Sequence, residues 1–163
     1  MVSRRFRLYL DTSVWNRLAD PVNFVMRRDT YHFLNRAAAR HILVVSPLVI
    51  AEVQETPDPD ERLTIERLLR KQRPERLGHH ERVDEIARSL LEGGGLGMRR
   101  LVDLTHVGYA ITCRADALVT WDARTLARPR IRTLVQAYCR RNGVQAPLIG
   151  RPGEVAEWLG LSM

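Results

Sequence analysis

Lysine is all but missing from this 163-residue chain: among 26 basic residues only Lys71 is a lysine, and the rest are arginines. Such a bias follows from a GC-rich genome as readily as from function, although guanidinium forks also match phosphate geometry. Acids are outnumbered, with 19 Asp and Glu leaving a net charge of +7. That balance points to an anionic partner, nucleic acid first. Cysteine is scarce. Cys113 and Cys139 sit in helical patterns without metal-ligand spacing, which excludes a disulfide scaffold or zinc site and predicts two buried thiols in a reducing cytosol. Apolar runs are short, so no segment is long enough to span a bilayer and no membrane partner is expected. The N-terminal stretch has neither the apolar core nor the cleavage site of a signal peptide, and a cytoplasmic protein is the expectation. With 45% hydrophobic and 28% charged residues the composition is globular rather than disordered. The length suits one domain over residues 1–163 with its own core.

What is present is an alternation of short apolar runs with longer helical patterns. Residues 6–10, 41–45, 117–120 and 146–149 read as strands, mostly continuous in hydrophobicity, as parallel strands covered on both faces should be. A helix of about a dozen and a half residues, opened by Asp20-Pro21, separates the first two. Ser46-Pro47 caps and starts a helix directly after the second strand, and Asp58-Pro59 repeats the signal before a helix over 61–71. Further helices are predicted over 81–92, 98–113 and 131–141. The proline-rich stretch 56–59 and the glycine run 93–97 read as turns between helices. Such an alternation predicts an α/β fold with a parallel sheet.

Four carboxylates fall at particular places in that frame. Asp11 follows the first strand, where it can cap the next helix or stand at the strand C-terminal edge at which open α/β sheets bind ligands. Asp122 follows the third strand in the same way, with a short helix over 123–127 for it to cap. Glu52 stands one helical turn beyond Leu48 and Val49, so a cationic group is expected to meet it; Glu55 has no such claim. Asp103 shares a helical face with Val107 and Ala110, a position at which an Asp needs a metal or an arginine beside it. His106 lies at the edge of that face and reads as a hydrogen-bonded structural residue, because no second His stands at ligand spacing. Asp116 precedes the third strand, at the wrong end for the same cleft. Oxygen ligands without Cys or His suit a hard cation, Mg²⁺ or Mn²⁺, which activates water and meets phosphate.

At these residues the chain resembles the PIN-domain ribonucleases, whose bacterial members include VapC-like toxins of toxin–antitoxin systems. The resemblance rests on four segments in order: Leu8-Tyr9-Leu10-Asp11-Thr12-Ser13, Ser46-Pro47 through Glu52, Asp103-Leu104-Thr105-His106-Val107-Gly108-Tyr109-Ala110, and Ala115-Asp116 through Asp122. It implies a three-layer α/β/α arrangement around a central parallel sheet, with acids gathered at the strand C-termini. Asp11, Glu52, Asp103 and Asp122 become the catalytic, metal-binding set, with Asp116 as the alternative fourth acid. Thr12, Ser13 and Thr120 become supporting hydroxyls. One departure is that the last motif continues with Thr125 and Arg128 where related chains have His and Asn.

The expected activity is therefore Mg²⁺- or Mn²⁺-dependent endoribonuclease, with an antitoxin and a homodimer as possible partners implied by the resemblance. Arg99, Arg100, Arg124, Arg128 and Arg130 lie close to the motifs in sequence and are the candidate RNA-binding residues. The competing readings are a PIN scaffold without catalysis that binds RNA or a protein, and a structure-specific DNA nuclease of the same fold. A haloacid-dehalogenase-like phosphatase needs a second Asp where the chain has Ser13.

Overall fold

A computed structural model describes residues 3–162. Met1 and Val2, the first residues of the stretch read for a signal peptide, and Met163 lie outside the described residues. Five strands form one sheet: β1 (Arg7–Leu10), β2 (Ile42–Val45), β3 (Glu75–Arg76), β4 (Ala117–Val119) and β5 (Leu148–Gly150). Every pairing is parallel and the order is β3-β2-β1-β4-β5. In register, Leu8 faces Leu43 on one side and Ala117 on the other. Leu8, Tyr9, Leu10, Val44, Val45, Leu118 and Val119 are all fully buried, which is why these strands read as unbroken apolar runs instead of alternating ones.

The helices are α1 (Thr12–Ala19), α2 (Phe24–Arg40), α3 (Pro47–Gln54), α4 (Pro59–Gln72), α5 (Arg82–Gly93), α6 (Leu101–Thr112), α7 (Pro129–Arg141) and α8 (Pro152–Trp158). They pack as two groups, α1 to α4 with α8, and α5 to α7. Together with the sheet these make the predicted α/β/α fold. Ser46 caps α3 by accepting the Val49 amide, and Asp58 caps α4 by accepting those of Asp60 and Glu61. A fixed-φ proline follows each cap, so both starts are legible from sequence.

Several expectations need correction. Asp20-Pro21 does not open α2, which starts at Phe24; Asp20 instead closes α1, and its carboxylate accepts the amides of Val22 and Asn23. The helix expected from residue 98 begins with a tight 3₁₀ turn, Met98–Arg100, before α6. Residues 123–127 form turns, not a helix. The two-residue β3 and α8 were not anticipated. The first is an exposed polar edge strand without an apolar pattern, and the second spans two turns. Cys139 is buried, but Cys113 is only partly so, and both are free thiols.

With β1 central, the chain leaves it toward β2 and β3 on one side and later returns to β4 and β5 on the other. The sheet therefore changes direction between β1 and β4, where the two strand C-termini diverge from their connections. Such a switch point is the standard ligand crevice of an open parallel sheet.

Candidate metal centre

At that switch point Asp11 leaves β1 and becomes the N-cap of α1, its side chain accepting the Ser13 amide. The capping role and the place at the strand edge therefore belong to one residue. Asp11 is 3% exposed. Its Oδ1 also accepts from the Ser13 hydroxyl, and its Oδ2 accepts from Thr120 Oγ1 at 2.7 Å. Those hydroxyls in turn accept the amides of Trp121 and Asp122. Ser13 and Thr120 thus tie the end of β1 to the end of β4 and fix the carboxylate between them. Desolvation pushes the Asp11 carboxyl above its ordinary range, against the opposing pull of His106 and these hydrogen bonds.

Glu52 comes from α3, with Thr12 Oγ1 donating to its Oε1 at 2.8 Å and His106 Nε2 at 2.7 Å. The residue that meets this acid is His106 on α6, which reads from sequence as a hydrogen-bonded structural residue with no sign of its partner. Burial alone raises the Glu52 carboxyl, but the His106 hydrogen bond and charge together with the Thr12 bond outweigh it, and the net shift is downward. Behind His106 runs a buried chain: its Nδ1 lies 2.8 Å from the Tyr9 hydroxyl, which lies 2.7 Å from Ser46 Oγ. When the His106 ring is neutral and carries its proton on Nε2, every member is satisfied in one direction. The Val49 amide donates to Ser46, Ser46 to Tyr9, and Tyr9 to Nδ1, leaving Nε2–H for Glu52. The sequence does not mark Tyr9 as part of the site. Its place two residues before Asp11 puts it on the same face of β1, but a tyrosine in an apolar strand carries no signal that its hydroxyl meets α6.

Asp103 stands on the first turn of α6, half-buried, with the Arg100 guanidinium 3.8 Å away. Desolvation raises its carboxyl, and the charges of Asp122 and Asp11 raise it further, while Arg100 and His106 pull the other way. Asp122 uses Oδ1 to accept the amides of Arg124 and Thr125. Asp11, Glu52, Asp103 and Asp122 line one open cleft of about 850 Å³. Glu55, Glu61 and Asp20 line it too, so Glu55 has a place on the rim that its sequence context did not reveal. Asp20 is committed to its cap and to Arg17, and those bonds hold its carboxyl down to about 2.

Asp116 is elsewhere. It precedes β4 at the opposite end of the sheet, accepting the Arg7 amide and pairing with Arg4. It is removed from the set as an alternative fourth acid. The five arginines proposed for RNA are gathered together: Arg99, Arg100, Arg124, Arg128 and Arg130 all line a second, smaller cavity.

Desolvation opposes ionisation of Asp11 and Asp103, and neighbouring acids add to it at Asp103, an arrangement that a cation relieves. Among the described residues no three His, Cys, Asp or Glu side chains stand close enough to cage an ion unaided. All-oxygen donors are of the type that hard divalent ions accept when they keep several waters, unlike the Cys and His ligands of a closed structural site.

No family model matches the sequence, and no curated protein matches it either. Its fold is similar to that of VapBC2 from Rickettsia felis, crystallised with a DNA fragment from its promoter. The TM-score is 0.59 at 16% identity, over 88% of this chain and 96% of that one. It is also similar to VapC20 of Mycobacterium tuberculosis, a toxin that cleaves the sarcin-ricin loop. There the TM-score is 0.55 at 12% identity, over 72% of this chain and 91% of that one. These likenesses establish the expected PIN-like fold.

Proposed function

We propose, on the premise of a PIN-like fold shared with VapC toxins, that this chain is a Mg²⁺- or Mn²⁺-dependent endoribonuclease and the toxin of a toxin–antitoxin pair. The observation that carries the reading is the convergence of Asp11, Glu52, Asp103 and Asp122 on one cleft at the switch point of the sheet. Two of those carboxyls are held above their ordinary range with no arginine close enough to neutralise both. A bound divalent ion would supply Lewis-acid stabilisation of a phosphate oxygen and a more acidic water.

The chain's own residues do the positioning. Ser13 and Thr120 lock the Asp11 carboxylate, filling Oδ1 with two hydrogen bonds and leaving one lone pair of Oδ2 uncommitted, so it needs no rotamer loss to act. His106 and Thr12 both occupy Glu52 Oε1, leaving Oε2 free for a ligand. Glu52 and Asp103 both stand at the cleft, and an attacking water can find a proton acceptor among their carboxyl groups. Attack by water, not by the neighbouring 2′-hydroxyl, leaves a 5′-phosphate and a 3′-hydroxyl.

The test is purified protein on single-stranded RNA with Mn²⁺ and with chelator, followed by sequencing of the ends. Cleavage only with metal, giving 5′-phosphates, is expected; a cyclic phosphate end would sink the mechanism. The cytoplasm is the proposed compartment, and among the described residues no helix is long and apolar enough to cross a membrane. The proposed protein partners are an antitoxin that masks the cleft and a second copy of the chain.

A further inference from the structure

The arginine cavity holds about 240 Å³, and Arg99, Arg100, Arg124, Arg128 and Arg130 line it with no Asp or Glu among its walls. Arg100 stands 3.8 Å from Asp103, while the other four have no acid beside them in the lining, so like charge gathers here that an anion would offset. Two of the five have a neutral hydrogen-bond partner: Arg100 donates to Thr125 Oγ1 at 2.6 Å, and Arg130 to the Gly94 carbonyl at 2.6 Å. Arg99, Arg124 and Arg128 make no ion pair among the described residues.

A second, independent feature opens onto the same cavity. Helix α7 begins here, its N-cap residue Arg128 offers no side-chain acceptor, and no acid stands in its first turn. The amides of Arg130 and Ile131 are left without a side-chain cap, at the positive end of a 13-residue helix. Uncapped amides beside arginines make a phosphate site. Gly95 and Gly97 also line the cavity, and the absence of a side chain there lets a ligand approach the backbone.

The cavity adjoins the acidic cleft through two residues. The Arg100 guanidinium reaches Thr125 on one side and stands 3.8 Å from Asp103 on the other. The Thr125 amide, in turn, is held by Asp122. We propose that this cavity is a second phosphate seat, which takes a backbone phosphate of RNA next to the scissile one and needs no metal to do so. The proposal rests on the ribonuclease reading for the identity of the strand. Its consequence is a division of labour: one phosphate is gripped directly by guanidinium and amide donors, and this places its neighbour over the carboxylates.

The test measures binding of a short single-stranded RNA in chelator, where nothing is cut, replacing one phosphate at a time with a neutral methylphosphonate. Wild type should lose about tenfold in affinity at one or two positions, as expected when a charge-assisted hydrogen bond is removed. An R124Q/R128Q double variant, both residues exposed, should bind about tenfold more weakly and lose that positional effect. Its log–log salt slope should be shallower by about 0.7 for each phosphate no longer held. Arg36→Gln, an exposed charge on α2, should keep the positional effect.

A flat scan, or a double variant no weaker than Arg36→Gln, would overturn the seat. So would an Asp- and Glu-rich peptide that binds wild type but not the double variant alongside a flat scan, which would assign the cavity to a protein ligand. Cleavage with Mn²⁺ is read separately. Absent cleavage with an intact positional effect overturns the nuclease reading alone, and metal-dependent cleavage with a flat scan overturns the seat alone.

Discussion

At the residue scale the cleft combines two carboxyls shifted above their ordinary range, Asp11 and Asp103, with one shifted below it, Glu52. The Asp103 carboxyl is raised in the folded chain, so between its unfolded and folded values the folded state binds more protons than the unfolded one. Stability of the metal-free protein therefore falls as pH rises through that window. Asp103→Asn removes this cost. The variant should melt at the same temperature as wild type at acid pH and higher near neutrality in chelator, as thermal scans across pH would show. The same substitution should lower metal-dependent cleavage by more than about a hundredfold, beyond the 10–100-fold typical of residues that only orient a ligand. Glu52 has the opposite sign: its stabilising contribution is present above the unfolded carboxylate value and is lost as pH falls through its lowered one. His106→Ala cuts the chain between Tyr9 and Glu52. The buried Tyr9 hydroxyl then loses an acceptor, at a cost of about 1–3 kcal/mol, and cleavage should drop by about 10–100-fold. Denaturant melts and steady-state cleavage measure the two effects separately. Unchanged cleavage would remove His106 from the site.

The elements deliver these residues with different degrees of security. Helix α3 carries Glu52 and is anchored by Ser46, whose hydroxyl both caps the Val49 amide and stands within the Tyr9 chain. Ser46→Ala should cost about 1 kcal/mol from the cap alone and more from the broken chain, seen as a lower denaturant midpoint with unchanged slope. Helix α6 carries Asp103 and His106 and lies close against α5 at Gly108. A Cβ there would stand 2.8 Å from the Val83 carbonyl oxygen and 3.2 Å from its Cγ1. Gly108→Ala should force the two helices apart at a cost of about 1–3 kcal/mol. Because α6 holds both an acid and the orienting His, cleavage should fall with stability in that variant. The cap signals of α3 and α4 are legible because a side chain and a proline act within four residues. The start of α2 is not, because Asp20 uses the same hydrogen-bonding chemistry to end one helix, and only the path of the chain distinguishes the two uses.

On the scale of the whole molecule, the positive balance and the acidic cleft divide the surface by task. RNA affinity in chelator should fall steeply with salt, with a log–log slope of about −0.7 for each phosphate held, and filter binding across salt concentrations measures it. Divalent ions should raise the melting temperature of wild type by more than that of Asp103→Asn, since the variant has lost one of the two carboxyls that a cation relieves. The sequence by itself determined the parallel α/β architecture, because strands buried on both faces must be apolar throughout. It also determined the strand-end positions of Asp11 and Asp122, because they adjoin the runs that form β1 and β4. Only the tertiary structure decided that Asp116 serves the opposite end of the sheet, that Glu55 lines the cleft, and that Tyr9, His106 and Glu52 form one chain. These relations join residues from 37 to 109 positions apart or turn on which way a side chain faces across a strand end. Local periodicity carries no information about such distances. They are set by how β1, α3 and α6 pack, and that packing is also what brings five arginines from two separate segments around one cavity.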